Sequence, residues 1–204
     1  MSKAILISIK PKWCAKIMNG EKTIEVRKNR ALANAIQKLI DEQGFADIYV
    51  YCSKSKPYLY GDKSVYEGKQ ESFWVQKIEG NGIVPLLNGK VVFKFRCYKV
   101  EEIKNNLAMR FFTESANEKE LLKKSCLNSD QLFWYLAPQE LKVKCCGYAI
   151  HISDLEIFDK PKELNEFYHW TDKKIQWYSV GEKVKVMVSL TNAPQNYCYV
   201  EIGK

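Results

Sequence analysis

The chain carries short stretches in which apolar and polar residues alternate, and a few in which apolar residues recur every three or four positions, so it predicts a mixture of strands and helices. Ala4 to Ile9 is an almost continuous apolar run that reads as a buried strand. Pro11 suits the first turn of a short helix and Gly20 its end, with Cys14, Ile17 and Met18 on one face and Lys12, Lys16 and Asn19 on another. Ile24 and Val26 then alternate with Thr23, Glu25 and Arg27, so a strand here buries the first pair and presents a hydroxyl, a carboxylate and a guanidinium on its other face. From Arg30 to Gln43 the positions of Leu32, Ala33, Ile36, Leu39 and Ile40 predict an amphipathic helix that Gly44 stops. Ala46 to Ser53 sets Ile48, Val50 and Cys52 against Tyr49, Tyr51 and Ser53. In one reading Tyr51 and Ser53 border a cleft; in the other the tyrosines bury their rings and wet their hydroxyls.

Lys54 to Gly68 follows neither period and reads as a long loop, in which tyrosines interleaved with lysines offer stacking surfaces beside phosphate-binding charge. Glu71 to Ile78 and Lys90 to Val100 are strand candidates, the second introduced by the turn signal Asn88-Gly89. Glu118 to Leu122 and a segment capped by Asn128-Ser129-Asp130, holding Leu132 to Leu136 and halted by Pro138, read as two helices. They form an insertion at about 107–140, placed either over one end of a barrel or simply packed on it. Gly147 to Ile152, Leu155 to Phe158, Lys183 to Leu190 and Tyr197 to Ile202 complete the strands, whereas 162–178 is aromatic without clean periodicity. The expected architecture is one α+β domain over 1–204, with a C-terminal extension at about 160–204.

The 204 residues are enough for one well-buried core, and no apolar run approaches the roughly 20 residues of a membrane helix. The lysines around the short apolar run at the N-terminus do not make a signal peptide, so a cytoplasmic location with no membrane partner is expected. Seven cysteines scattered through predicted strands and helices read as buried thiols in a reducing compartment. Charge changes the picture more. The net +8 is concentrated in residues 1–30, where Lys3, Lys10, Lys12, Lys16, Lys22, Arg27, Lys28 and Arg30 face only Glu21 and Glu25, a net +6. Such a cluster fits a polyanionic partner by counterion release, or a solvated lysine-rich surface. No phosphate-binding or dinucleotide glycine loop is present. Cys145-Cys146 with His151 lacks the spacing of a zinc site, and His151 and His169 read as structural, so no metal and no cofactor are expected.

The pattern G-x-K-x-x-E-x-R at Gly20, Lys22, Glu25 and Arg27, after a strand and a short helix, resembles the signature of the ASCH domain family, relatives of the PUA domains. Tyr49 to Ser53 resembles the family's next strand. His151 to Ile157 with Asp159-Lys160-Pro161, and Pro194-Gln195 with Tyr197 to Glu201, resemble closing segments of its larger phage and bacterial members. The resemblance implies a small β-barrel with flanking helices and a cleft suited to RNA or a nucleobase-like ligand. Some small members resemble amidohydrolases of a modified cytidine that use a lysine, matched by Lys22, and a threonine three residues on, where this chain has Glu25.

Lys22, Glu25 and Arg27 are therefore the leading site candidates, with Trp13, Tyr51 and Ser53 beside them and Lys10, Lys12, Lys16 and Lys28 steering a phosphate backbone. Local chemistry alone also permits a structural Glu-Arg pair at this place. The expected partner is RNA, another single-stranded nucleic acid or a nucleoside-like molecule. The rivals are a hydrolase of modified nucleosides or a ribonuclease using Lys22 and Glu25, and a protein-interaction module that modulates a host factor.

Overall fold

The apolar run at the N-terminus becomes β1 (Ala4–Ile9), the middle strand of a seven-stranded sheet. The computed structural model describes residues 3–55, 86–105, 111–136, 147–177 and 180–202. Most of the predicted tyrosine-lysine loop, the strand candidate at 71–78, Pro138 and the Cys145-Cys146 pair lie outside them. β1 is apolar on both faces because each face meets a different core. Ile5, Ile7 and Ile9 pack under helices α1 (Pro11–Met18) and α2 (Arg30–Gln43), while Ala4 and Leu6 enter a second core on the opposite side. The next strand in the sheet, β3 (Ala46–Cys52), runs parallel to β1 and divides in the same way. Its Ile48 and Val50 join the first core, and Tyr49 and Tyr51 join the second.

Chain order around the sheet follows from these contacts. β4 (Val91–Cys97) pairs antiparallel with β3, and β8 (Ser153–Lys162) covers the edge beyond it. On the other side of β1 lie β11 (Tyr197–Ile202), β9 (Phe167–Trp177) and β10 (Val180–Ser189). A second, four-stranded sheet is built from β2 (Ile24–Arg27), β7 (Gly147–His151), β5 (Val100–Asn105) and the two-residue β6 (Phe111–Phe112). The molecule is thus α+β, with one sheet curled into a half-barrel.

Helix α3 (Glu118–Ser125) and helix α4 (Ser129–Leu136) form the insertion between β6 and β7. Their buried Leu121, Leu132 and Leu136 meet Ile24, Val26, Ile103 and Ala149 of the smaller sheet in a third core. The approach is close: a Cβ on Gly147 would stand 2.5 Å from Leu136 Cδ2, so glycine is what lets α4 settle on β7.

Two strand expectations change. The predicted strand Lys90 to Val100 ends at Cys97, the exposed Tyr98 and Lys99 carry the chain across, and β5 starts afresh in the other sheet. The aromatic stretch 162–178 contains β9, which pairs with β10 over ten residue pairs from Val180–Trp177 to Ser189–Tyr168. Near the margin of a sheet the backbone ladder holds a strand without the two-residue period that a core imposes, which is why alternation did not reveal it.

Leu132 is fully buried between α4 and the smaller sheet. Leu132→Ala should therefore cost about 2–5 kcal/mol, read as a lower denaturation midpoint in urea with an unchanged slope.

Candidate functional site

The turn that leaves α1 sets the site. Gly20 takes a left-handed conformation (φ 73), which lets the Glu21 and Lys22 N–H groups both donate to the Lys16 carbonyl, at 2.9 and 3.0 Å. This brings Lys22 against the end of α3. The Thr23 N–H donates to the Lys124 carbonyl at 2.9 Å, and the Lys22 ammonium donates to the Ser125 carbonyl at 2.8 Å. The last carbonyls of a helix lack intrahelical donors and sit at the negative end of its dipole, so a lysine there is favoured. Cys126, left-handed at φ 55, closes α3 and donates its thiol to the Glu21 carbonyl at 3.3 Å. Burial pushes that thiol's pKa up, so it remains a donor.

Three charges follow one another, from buried Lys22 and Glu25 to half-buried Arg27. Lys22 Nζ is 3.4 Å from Glu25 Oε2, Glu25 Oε1 is 2.9 Å from Arg27 Nε, and Arg27 Nη2 donates to the Ser8 carbonyl at 2.7 Å. Lys22 is 3% and Glu25 6% exposed, so these charges are largely removed from water and depend on one another. The Arg27 Nε–H is close to the carboxylate but is not aligned on it, which leaves an ion pair and a shielded N–H without a hydrogen-bond acceptor. Two cations and one carboxylate sum to a single positive charge.

This chain of charges lines a cleft of about 440 Å³. Trp13 stands over Lys22, its ring centre 5.2 Å from Nζ, and the opposite wall comes from Leu127, Gln131 and Tyr135 of the insertion. Burial pushes the Tyr135 phenol pKa up, leaving a neutral hydroxyl donor. Cations gather at the rim: Lys10 lines the cleft, Lys12 lies 4.9 Å from the Trp13 ring centre, and Lys28 lies 5.3 Å from that of Tyr135.

The cleft thus brings together Lys22, Glu25, Arg27, Trp13 and Lys10, with Lys12 and Lys28 against its aromatic walls. Lys16 instead pairs with Glu21 at 2.7 Å. Tyr51 is buried in the second core and Ser53 bonds Ser55, so neither lines the cleft. Strand alternation placed Tyr51 correctly on the face opposite Ile48 and Val50, but that face meets a core of Phe167, Leu190 and Val200 rather than a ligand. The contributions of Ser8, Leu127, Gln131 and Tyr135 were not foreseen; the four-residue spacing of Gln131 and Tyr135 on one side of α4 was the available signal. Among the described residues no group of three or more metal-ligating side chains comes together.

A second polar cluster holds the insertion in place. Glu101 of β5, 5% exposed, accepts from the Ser115 N–H at 2.9 Å and from the Ser115 hydroxyl, lies 2.7 Å from His151 Nε2, and pairs with Lys99 at 3.2 Å. The carboxylate stands between the hydroxyl and the imidazole, so the histidine does not reach the serine as a base would. This order makes it a structural clamp.

The chain matches no family model, no curated protein and no solved structure.

Burial alone would push the Glu101 carboxyl up, but the hydrogen bonds from Ser115, His151 and Lys99 outweigh it and hold its pKa at about 2 against an ordinary 4.5. A carboxyl depressed on folding stabilises the protein above its unfolded value and loses that contribution as pH falls through the folded one. Glu101→Gln should therefore lower the melting temperature at neutral pH, and the gap from wild type should narrow as pH falls from about 4.5 towards 2. A thermal-melt series over that range measures it.

Proposed function

We propose that the cleft binds RNA or a nucleobase-like ligand, as the resemblance to ASCH domains and their PUA relatives implies. The observation that carries this reading is the Lys22–Glu25–Arg27 ion chain, with Lys22 and Glu25 buried, whose net positive charge is one anion short inside a cleft walled by Trp13 and Tyr135. A phosphate or a base carbonyl supplies the missing electron-rich oxygen, the rings offer stacking faces, and Glu25 has the chemistry to accept from an exocyclic amine. Lys10, Lys12 and Lys28 then follow the backbone outside the cleft.

Binding is favoured over hydrolysis by where the candidate chemical groups stand. Lys22 donates to a carbonyl and forms an ion pair with a carboxylate, and as a base it would have to give up both contacts. Thr23 is exposed and does not line the cleft, and the position of the family's threonine holds Glu25.

Binding of labelled single-stranded RNA and DNA across a salt series, with the RNA run on a gel afterwards, tests the proposal. Wild type is expected to bind at low salt, to weaken as salt rises, and to lose about tenfold or more in the Lys22→Ala/Arg27→Ala double variant, with circular dichroism confirming its fold. Absence of binding at low salt overturns the nucleic-acid reading. RNA shortened only when Lys22 is present establishes the ribonuclease instead.

A further inference from the structure

The cleft, at about 440 Å³, has the volume of a small-molecule pocket, enough for one nucleotide unit. What lies beyond it is set by α4. At the start of this helix the Gln131 N–H donates to Asn128 Oδ1 at 2.7 Å and the Asn128 N–H donates to Gln131 Oε1 at 3.1 Å, which fixes the faces that the helix presents. Leu132 and Leu136 enter the third core, so Gln131, Trp134 and Tyr135, spaced i, i+3 and i+4, share the outward face. Gln131 and Tyr135 line the cleft, and Trp134 therefore stands at its rim.

The Trp134 side chain is 75% exposed, more than any other large hydrophobic among the described residues. It is nevertheless propped. Phe133 meets its ring at 81°, with centroids 5.3 Å apart, and Phe133 in turn packs at 6.4 Å on the buried Phe111. Such pairing holds the indole in one orientation with ring surface left in water. Charge selects what covers it. Lys28 lies against the neighbouring Tyr135 ring, Lys10 and Lys12 stand at the cleft, and the ion chain adds a net positive charge. Asp130, one turn before Trp134, is the one acidic side chain of α4, so the ring suits an uncharged base rather than a phosphate. A stacking face that continues from a cationic cleft matches a single strand, whose bases offer open π-faces while its phosphates are drawn to lysines. A duplex keeps those faces inside its own stack.

We infer that the ligand of the cleft is a single strand of two or more nucleotides, one seated in the cleft and the base of its neighbour stacked on Trp134. This rests on the nucleic-acid reading of the cleft and adds Trp134 to it as a second subsite.

Titration calorimetry of the full chain with cytidine monophosphate and with hexacytidylate RNA, at low salt, tests it. Wild type is expected to bind the hexamer about tenfold tighter than the monophosphate. Trp134→Ala should remove about that factor for the hexamer, Trp134→Phe should keep most of it, and neither should change the monophosphate. Lys22→Ala/Arg27→Ala should weaken both probes. Hexamer affinity that survives in a folded Trp134→Ala variant, yet falls in the double variant, overturns the inference and leaves the cleft reading standing. Binding of neither probe, or binding indifferent to the double variant, overturns both. Self-association lost in Trp134→Ala with hexamer affinity unaltered assigns the ring to a contact between copies and likewise overturns the inference.

Discussion

The arrangement depends on three linked charges, Lys22 and Glu25 buried and Arg27 half-buried, whose neighbours belong to different parts of the fold. Lys22 reaches the carbonyl that ends α3, Glu25 lies on the smaller sheet, and Arg27 reaches the Ser8 carbonyl of the larger sheet. Desolvating such groups is costly, and removing one partner from a buried pair costs about 3–5 kcal/mol because it leaves the other uncompensated. Loss of Glu25 would leave two neighbouring cations facing each other across the cleft. The ion chain therefore positions the cleft as well as lining it, joining both sheets and the insertion at one point.

The clamp around Glu101 complements this from the far side of the insertion. It fixes the segment before α3 to β5 and β7, so α3 and α4 are held at both ends: by Glu101 ahead of α3, and by Gly147, where the chain re-enters the sheet. Between those anchors the leucines pack inward, and Gln131 and Tyr135 face the cleft. The insertion is consequently part of the site.

Local patterns made much of this legible. Helix α2 runs from Arg30 to Gln43, with Asn29 accepting from the Leu32 N–H and Gly44 left-handed, because its apolar spacing and stop signal agree. The stretch from Gly20 to Arg27 was equally readable as a concentration of charge after a turn. What remained hidden depends on contacts distant in sequence. Tyr49 and Tyr51 alternate as expected, yet only the packing of Phe167 and Val200 against them shows that their face is a core. Lys22 precedes the strand and so escapes its alternation, which is how it reaches Glu25 three residues on. The Ser125 carbonyl is a backbone atom over a hundred positions away, and no side-chain pattern announces it.

Backbone amide spectra of the isotopically labelled chain, recorded while cytidine monophosphate is added, test the cleft most directly. The account predicts saturable shifts confined to residues 8–28 and 125–136, where β1, the turn at Gly20 and the insertion surround the ion chain. Unchanged spectra, or shifts centred elsewhere in the molecule, would contradict it.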